Sequence, residues 1–165
     1  MAACLRFTKR VWQSFIETKG HDVQCFPNLA INRARPGKVE CSLKIEPYNV
    51  NRVGTVHGGL LLSLTDTVGS LAVATHGKYM TGVSTDIGTT FVKPAGKPGD
   101  VLSAVGVLTG MGKSLAFTRV EFFNAKGDLV AYGHHTKYVG RSHTHDKNVT
   151  FTEDGESVVE GQDID

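Results

Sequence analysis

From Lys38 to Glu46 apolar and polar residues alternate: Val39, Cys41, Leu43 and Ile45 against Lys38, Glu40, Ser42, Lys44 and Glu46. A period of two marks a strand with one buried and one wet face. Phe26 to Arg33 reads as its partner strand, joined through the turn Arg35-Pro36-Gly37. Four more strand segments follow at Val83 to Val92, Val101 to Leu108, Leu115 to Phe123 and Leu129 to Val139. The last two flank Asn124-Ala125-Lys126-Gly127-Asp128, a hairpin signal. Short connections predict that these four are antiparallel neighbours.

Between the two groups of strands the pattern changes. Leu60, Leu61, Leu62, Leu64, Val68, Leu71, Ala72, Val73 and Ala74 surround nearly the whole circumference of a helix that stops at His76-Gly77. A helix apolar all round must be enclosed. It is no membrane span, because Ser63, Thr65, Asp66, Thr67, Ser70 and Thr75 interrupt it. Near the N-terminus, Leu5, Trp12, Phe15 and Ile16 fall near one face and predict a helix docked on the domain. That stretch is also basic, with no acid before Glu17, as a mitochondrial presequence would be. The compartment expected is cytoplasmic or mitochondrial.

These elements predict an α+β fold, a curved six-stranded antiparallel sheet wrapped around a central helix, with an N-terminal helix. One protomer leaves sheet edges open and a small core, so a homodimer or homotetramer is expected.

A length of 165 residues fits one domain, and the 19 glycines suit a strand-rich chain with tight turns. The domain is expected over 1–140, with 141–165 an acidic flexible tail. That tail holds two basic residues against seven acids, which leaves a net charge of +7 on residues 1–140. A basic domain favours an anionic partner. No RNP-like aromatic motif, Lys/Arg block or zinc spacing supports nucleic acid, so a phosphorylated small molecule leads. Cys4, Cys25 and Cys41 imply neither a disulfide framework nor a structural metal. His134 and His135 would point to opposite faces of a strand, so no metal is assigned to them either.

Asp66 is the charged residue of the enclosed helix, where a carboxylate must be hydrogen-bonded, paired, protonated or facing a polar pocket. Such a group can serve as general base or nucleophile. Gly58-Gly59 sits where the first turn leaves N–H groups unpaired. The pair either eases entry into the helix or offers donors to a carbonyl oxygen gaining charge. Eight residues separate Gly58 from Asp66, about 12 Å of helix. Two such helices lying antiparallel would bring each Asp66 to the other chain's Gly58.

Taken in order, Asn51-x-x-Gly54-Thr55-x-His57-Gly58-Gly59, Asp66, Gly82-Val83-Ser84-x-Asp86, Lys113-Ser114-Leu115-Ala116-Phe117 and Gly133-x-His135-Thr136-Lys137 resemble the hotdog-fold acyl-coenzyme A thioesterases, phenylacetate-pathway type. The resemblance covers roughly residues 10–140. It implies hydrolysis of fatty acyl-coenzyme A by a dimer of dimers, with coenzyme A bound only as part of substrate or product and no other cofactor. By resemblance, Gly58 N–H polarises the thioester carbonyl and Asp66 of the facing chain activates water or attacks directly. Ser84 holds that water, and Asn51 and His57 shape the site. Coenzyme A contacts are implied at Ser84, Asp86, Phe91, Lys113, Ser114, Leu115 and Tyr138. The other readings are a non-hydrolytic acyl-coenzyme A sensor, with the tail as recruitment segment, and a hotdog dehydratase. The dehydratases' His-carboxylate spacing is not found.

Overall fold

A computed structural model describes residues 1–163. The chain opens with α1 (Ala3–Glu17) and a short α2 (His21–Cys25), then β1 (Ala30–Arg35) and β2 (Lys38–Lys44). A 3-10 turn at Pro47–Asn49 leads to α3 (Gly58–Ala74). After it come β3 (Val83–Phe91), β4 (Val101–Met111), β5 (Leu115–Phe123) and β6 (Leu129–Tyr138), and last a small hairpin, β7 (Thr150–Phe151) and β8 (Val158–Glu160).

Strands β1 to β6 form one antiparallel sheet in the order β1-β2-β4-β5-β6-β3, and α3 packs on β2 through β6. The alternation predicted for the strands is the alternation observed: Val39, Cys41 and Leu43 of β2, and Ala116, Thr118, Val120 and Phe122 of β5, face the helix. Helix and sheet approach closely at Gly133, where an added Cβ would stand 2.7 Å from the Thr65 methyl. Gly77, at φ +77°, turns the chain away after α3.

The four later strands are antiparallel neighbours as predicted, in the order β4-β5-β6-β3, so β3 lies at the far edge against β6 and its outer rim is unpaired within the chain. Three expectations are corrected. Strand β1 begins at Ala30 rather than Phe26; Phe26 instead caps α2 and stacks on Trp12, with ring centroids 6.3 Å apart. The docked face of α1 centres on Cys4, Phe7, Thr8, Val11 and Trp12, while Leu5, Phe15 and Ile16 sit at its margin.

The third concerns the tail, whose described part, residues 141–163, does not extend freely. Ala3 and Cys4 N–H groups donate to Glu156 and Gly155 carbonyls, and Phe151 packs edge-on to Phe7 at 5.6 Å. His145 stacks on Tyr79, and Lys147 lies over the same ring. A few apolar anchors and backbone hydrogen bonds hold this segment, which is why no periodicity announces it. Residues 164–165 of the expected tail lie outside the described residues. No helix among the described residues is long and apolar enough to cross a membrane.

Candidate active site

The site is built at the start of α3 and along its open flank. His57 is the N-cap: its Nδ1 accepts from Gly59 N–H at 2.9 Å. The His57 carbonyl receives the N–H groups of Leu60 and Leu61, and His57 N–H donates to Asn49 O. Among the described residues this leaves Gly58 N–H as the first-turn donor without an acceptor. Phe91, at the end of β3, stands over it; a Cβ on Gly58 would meet the ring at 3.3 Å. Asn51 is turned into the preceding loop, where its Oδ1 accepts from Val53 and Thr55 N–H. Its side-chain hydrogen bonds go to Val53 and Thr55 of that loop.

Asp66 lies two turns on. The enclosed helix predicts a buried carboxylate, yet its side chain is 50% exposed, on the flank of α3 that the sheet leaves uncovered. All its protein contacts fall on one oxygen: Oδ1 accepts from Ser70 Oγ at 3.4 Å and lies 3.7 Å from His135 Nδ1 and 4.0 Å from Lys137 Nζ. Oδ2 has no partner among the described residues and is left to the opening.

His135 ties this carboxylate to Ser84. Its Nδ1 is 3.2 Å from Asp66 O, and its Nε2 is 2.8 Å from Ser84 Oγ. Burial, helped by the nearby Lys137 ammonium, holds its pKa below the ordinary imidazole value, so the ring is neutral at pH 7. A carbonyl facing Nδ1 places the proton there, and Nε2 then accepts from the serine. The Ser84 lone pairs are thereby free to accept from a third group. A bulge between Ser84 and Asp86 makes this possible. It reverses the parity of the strand, sending Ser84 inward to His135 while Asp86 turns outward to His134 Nε2 at 2.9 Å.

Residues 53–131 match the Thioesterase superfamily. Acyl-coenzyme A thioesterase 13 of Homo sapiens is 42% identical over 113 residues, 68% of this chain and 80% of the human one. This chain belongs to the thioesterase superfamily. Its fold is the hotdog fold, and its reaction class is thioester hydrolysis. The structure of zebra fish thioesterase superfamily member 2 matches with a TM-score of 0.75 at 32% identity, over 82% of this chain and 98% of that one. The hypothetical thioesterase protein of Streptococcus pneumoniae TIGR4, solved with coenzyme A, matches with a TM-score of 0.65 at 28% identity, over 70% and 88%.

The remaining candidate residues of this thioesterase gather at the other end of the sheet. Leu115, Tyr138 and Val83 form one row across β5, β6 and β3, all partly exposed. Lys113 and Ser114 are exposed on the β4–β5 hairpin, which Val139 N–H ties to the end of β6 through Ser114 O. A groove of about 440 Å³ runs beside Tyr138 and Val83, and Met80 and Arg141 also line it. A second groove, about 540 Å³, lies at the start of α3 between His57, Leu60 and Ser63 on one side and His21, Cys25 and Tyr48 on the other. Leu61 and Leu64 are in the core and line neither.

Sequence reasoning missed His135, Lys137, Ser70 and Arg141 as site residues. Alternation along β6 carried a signal for two of them. Ala131, Gly133, His135 and Lys137 share one parity, so two titratable groups had to face the helix.

Proposed function

We propose that this chain hydrolyses fatty acyl-coenzyme A thioesters at a site shared by two antiparallel copies of α3. The observation that carries it is the pairing of an unoccupied Gly58 N–H with an anchored Asp66 on one helix, about 12 Å apart along its axis. One carbonyl needs both groups within about 3 Å. A second α3 lying alongside supplies the missing half. The unpaired rim of β3, with Val83 and Phe91 more than half exposed, supports a second chain at this seam.

In this reading the thioester oxygen accepts from Gly58 N–H, where the N-terminal end of α3 favours developing negative charge. Asp66 Oδ2 of the facing chain removes a proton from water, and Ser84 Oγ accepts the other water hydrogen and orients the attack. The tetrahedral oxyanion collapses, the C–S bond breaks, and coenzyme A leaves as the thiolate and takes up a proton. The row Leu115, Tyr138 and Val83 gives the pantetheine arm an apolar track. Lys113 and Arg141 are the cations placed for phosphates. The human relative's name, acyl-coenzyme A thioesterase 13, and the coenzyme A in the Streptococcus pneumoniae structure support this substrate class.

The test is free-thiol release over acyl-coenzyme A esters of increasing chain length plus one aromatic ester, with Asp66→Ala as control. Turnover that falls about 10²- to 10⁴-fold in the variant, with the fold kept, supports the reading. Tight coenzyme A binding with no thiol released from any ester identifies a sensor instead.

A further inference from the structure

Among the described residues, Lys137 is the one Lys, Arg, Asp or Glu that is buried; its side chain is 4% exposed. Withdrawing an ammonium from water is costly unless opposite charge and hydrogen bonds replace the water. A methionine would follow the same path beneath α3 at less cost. The partners of Lys137 therefore show what its charge is for. Its Nζ donates to Ser70 Oγ, and Ser70 Oγ donates its one proton to Asp66 Oδ1. Nζ itself is 4.0 Å from that oxygen. From α2, Asp22 adds a second carboxylate on the same side, held by Thr67 Oγ1.

Resting on the function proposed above, we propose that Lys137 is the positioning residue of Asp66. The ammonium and the Ser70 hydroxyl it orders pin Oδ1, which fixes the carboxylate rotamer and turns Oδ2 toward the water it must deprotonate. A half-exposed aspartate without that anchor would sample its other staggered positions. Burial pushes the Lys137 pKa down, while the Asp66 and Asp22 carboxylates push it back up, as expected of a cation kept charged by its neighbours. The charged or titratable groups around it are Asp66 of α3, Asp22 of α2 and the neutral His135 of β6.

Steady-state kinetics by thiol release on a long-chain acyl-coenzyme A test this in the full chain, Lys137→Met, Asp66→Asn and the double variant. Lys137→Met should lower kcat about 10- to 100-fold with KM within about threefold, because the anchor serves the chemical step. In the Asp66→Asn background it should cost nothing further. Unchanged kcat, or an equal loss in both backgrounds, overturns the proposal. If Lys137→Met does not fold, Ser70→Ala removes the link between the two groups and should lower kcat with KM little changed, and should cost nothing further in the Asp66→Asn background; an unchanged kcat overturns the proposal. An active parent with an indifferent Lys137→Met overturns this inference alone. A parent that releases no thiol overturns the functional reading and this inference together.

Discussion

Ser84 Oγ lies 2.8 Å from His135 Nε2, and this contact decides which way the serine hydroxyl faces. With the imidazole neutral, the hydroxyl proton points inward and the oxygen offers lone pairs to the seam. Ser84→Ala should therefore lower kcat about 10- to 100-fold, the worth of one hydrogen bond to a charged or reacting group. KM should change little, because the alanine removes the water's acceptor and leaves the substrate's contacts. An unchanged kcat would take Ser84 out of the reaction.

The same imidazole predicts how stability depends on pH. In the unfolded chain a histidine titrates near 6.5, whereas burial keeps folded His135 below that value. Above 6.5 neither state is protonated and the full stability is present. As pH falls below 6.5 the unfolded state takes up a proton that the folded state refuses, so stability declines until the folded value is reached. Urea midpoints measured from neutral pH downward should fall more steeply for the parent than for His135→Gln, whose side chain does not titrate. Parallel curves would show that His135 titrates alike in both states.

Much of this architecture was legible because it follows from local rules. The alternation in β2 and β5 and the all-round apolar α3 each report burial directly. Strand order was less legible: β3 pairs with β6, and the loop through Pro94 and Pro98 carries the chain across the sheet to β4. Nothing in the periodicity of β3 distinguishes an edge from a centre. Asp66 is more exposed than the pattern predicts, for a related reason. The hydrophobic circumference of α3 suggested enclosure by one chain, but the arc holding Gly59, Leu62 and Asp66 is open in this chain. The bulge at β3 was invisible too, since spacing alone put Ser84 and Asp86 on one face.

Gly58→Ala probes the free N–H without removing it. Alanine at the first helical position keeps the donor and is compatible with the helix. Its Cβ would meet the tip of the Phe91 ring at 3.3 Å, and that half-exposed ring can yield by a few tenths of an ångström. Folding should survive. The methyl would nevertheless occupy the approach to the N–H, displacing the thioester oxygen by about 1 Å and costing about 10²-fold in kcat/KM. Turnover at the parent rate would show that the carbonyl is polarised elsewhere.

Phe151 fills the space beside Phe7, and the hairpin it begins carries the carbonyls that accept from Ala3 and Cys4 N–H. Those two N–H groups lie at the start of α1, where no intrahelical acceptor exists. The hairpin thus satisfies the helix start and shields its buried face. Phe151→Ala should lower stability by about 2 kcal/mol, below the cost at a fully buried site because Phe151 is only partly buried. Chemical denaturation gives that number. Thiol release per folded molecule should be unchanged, because Phe151 lies against α1, away from Asp66 and Gly58. A variant as stable as the parent would mean that this hairpin rests on the domain without holding it.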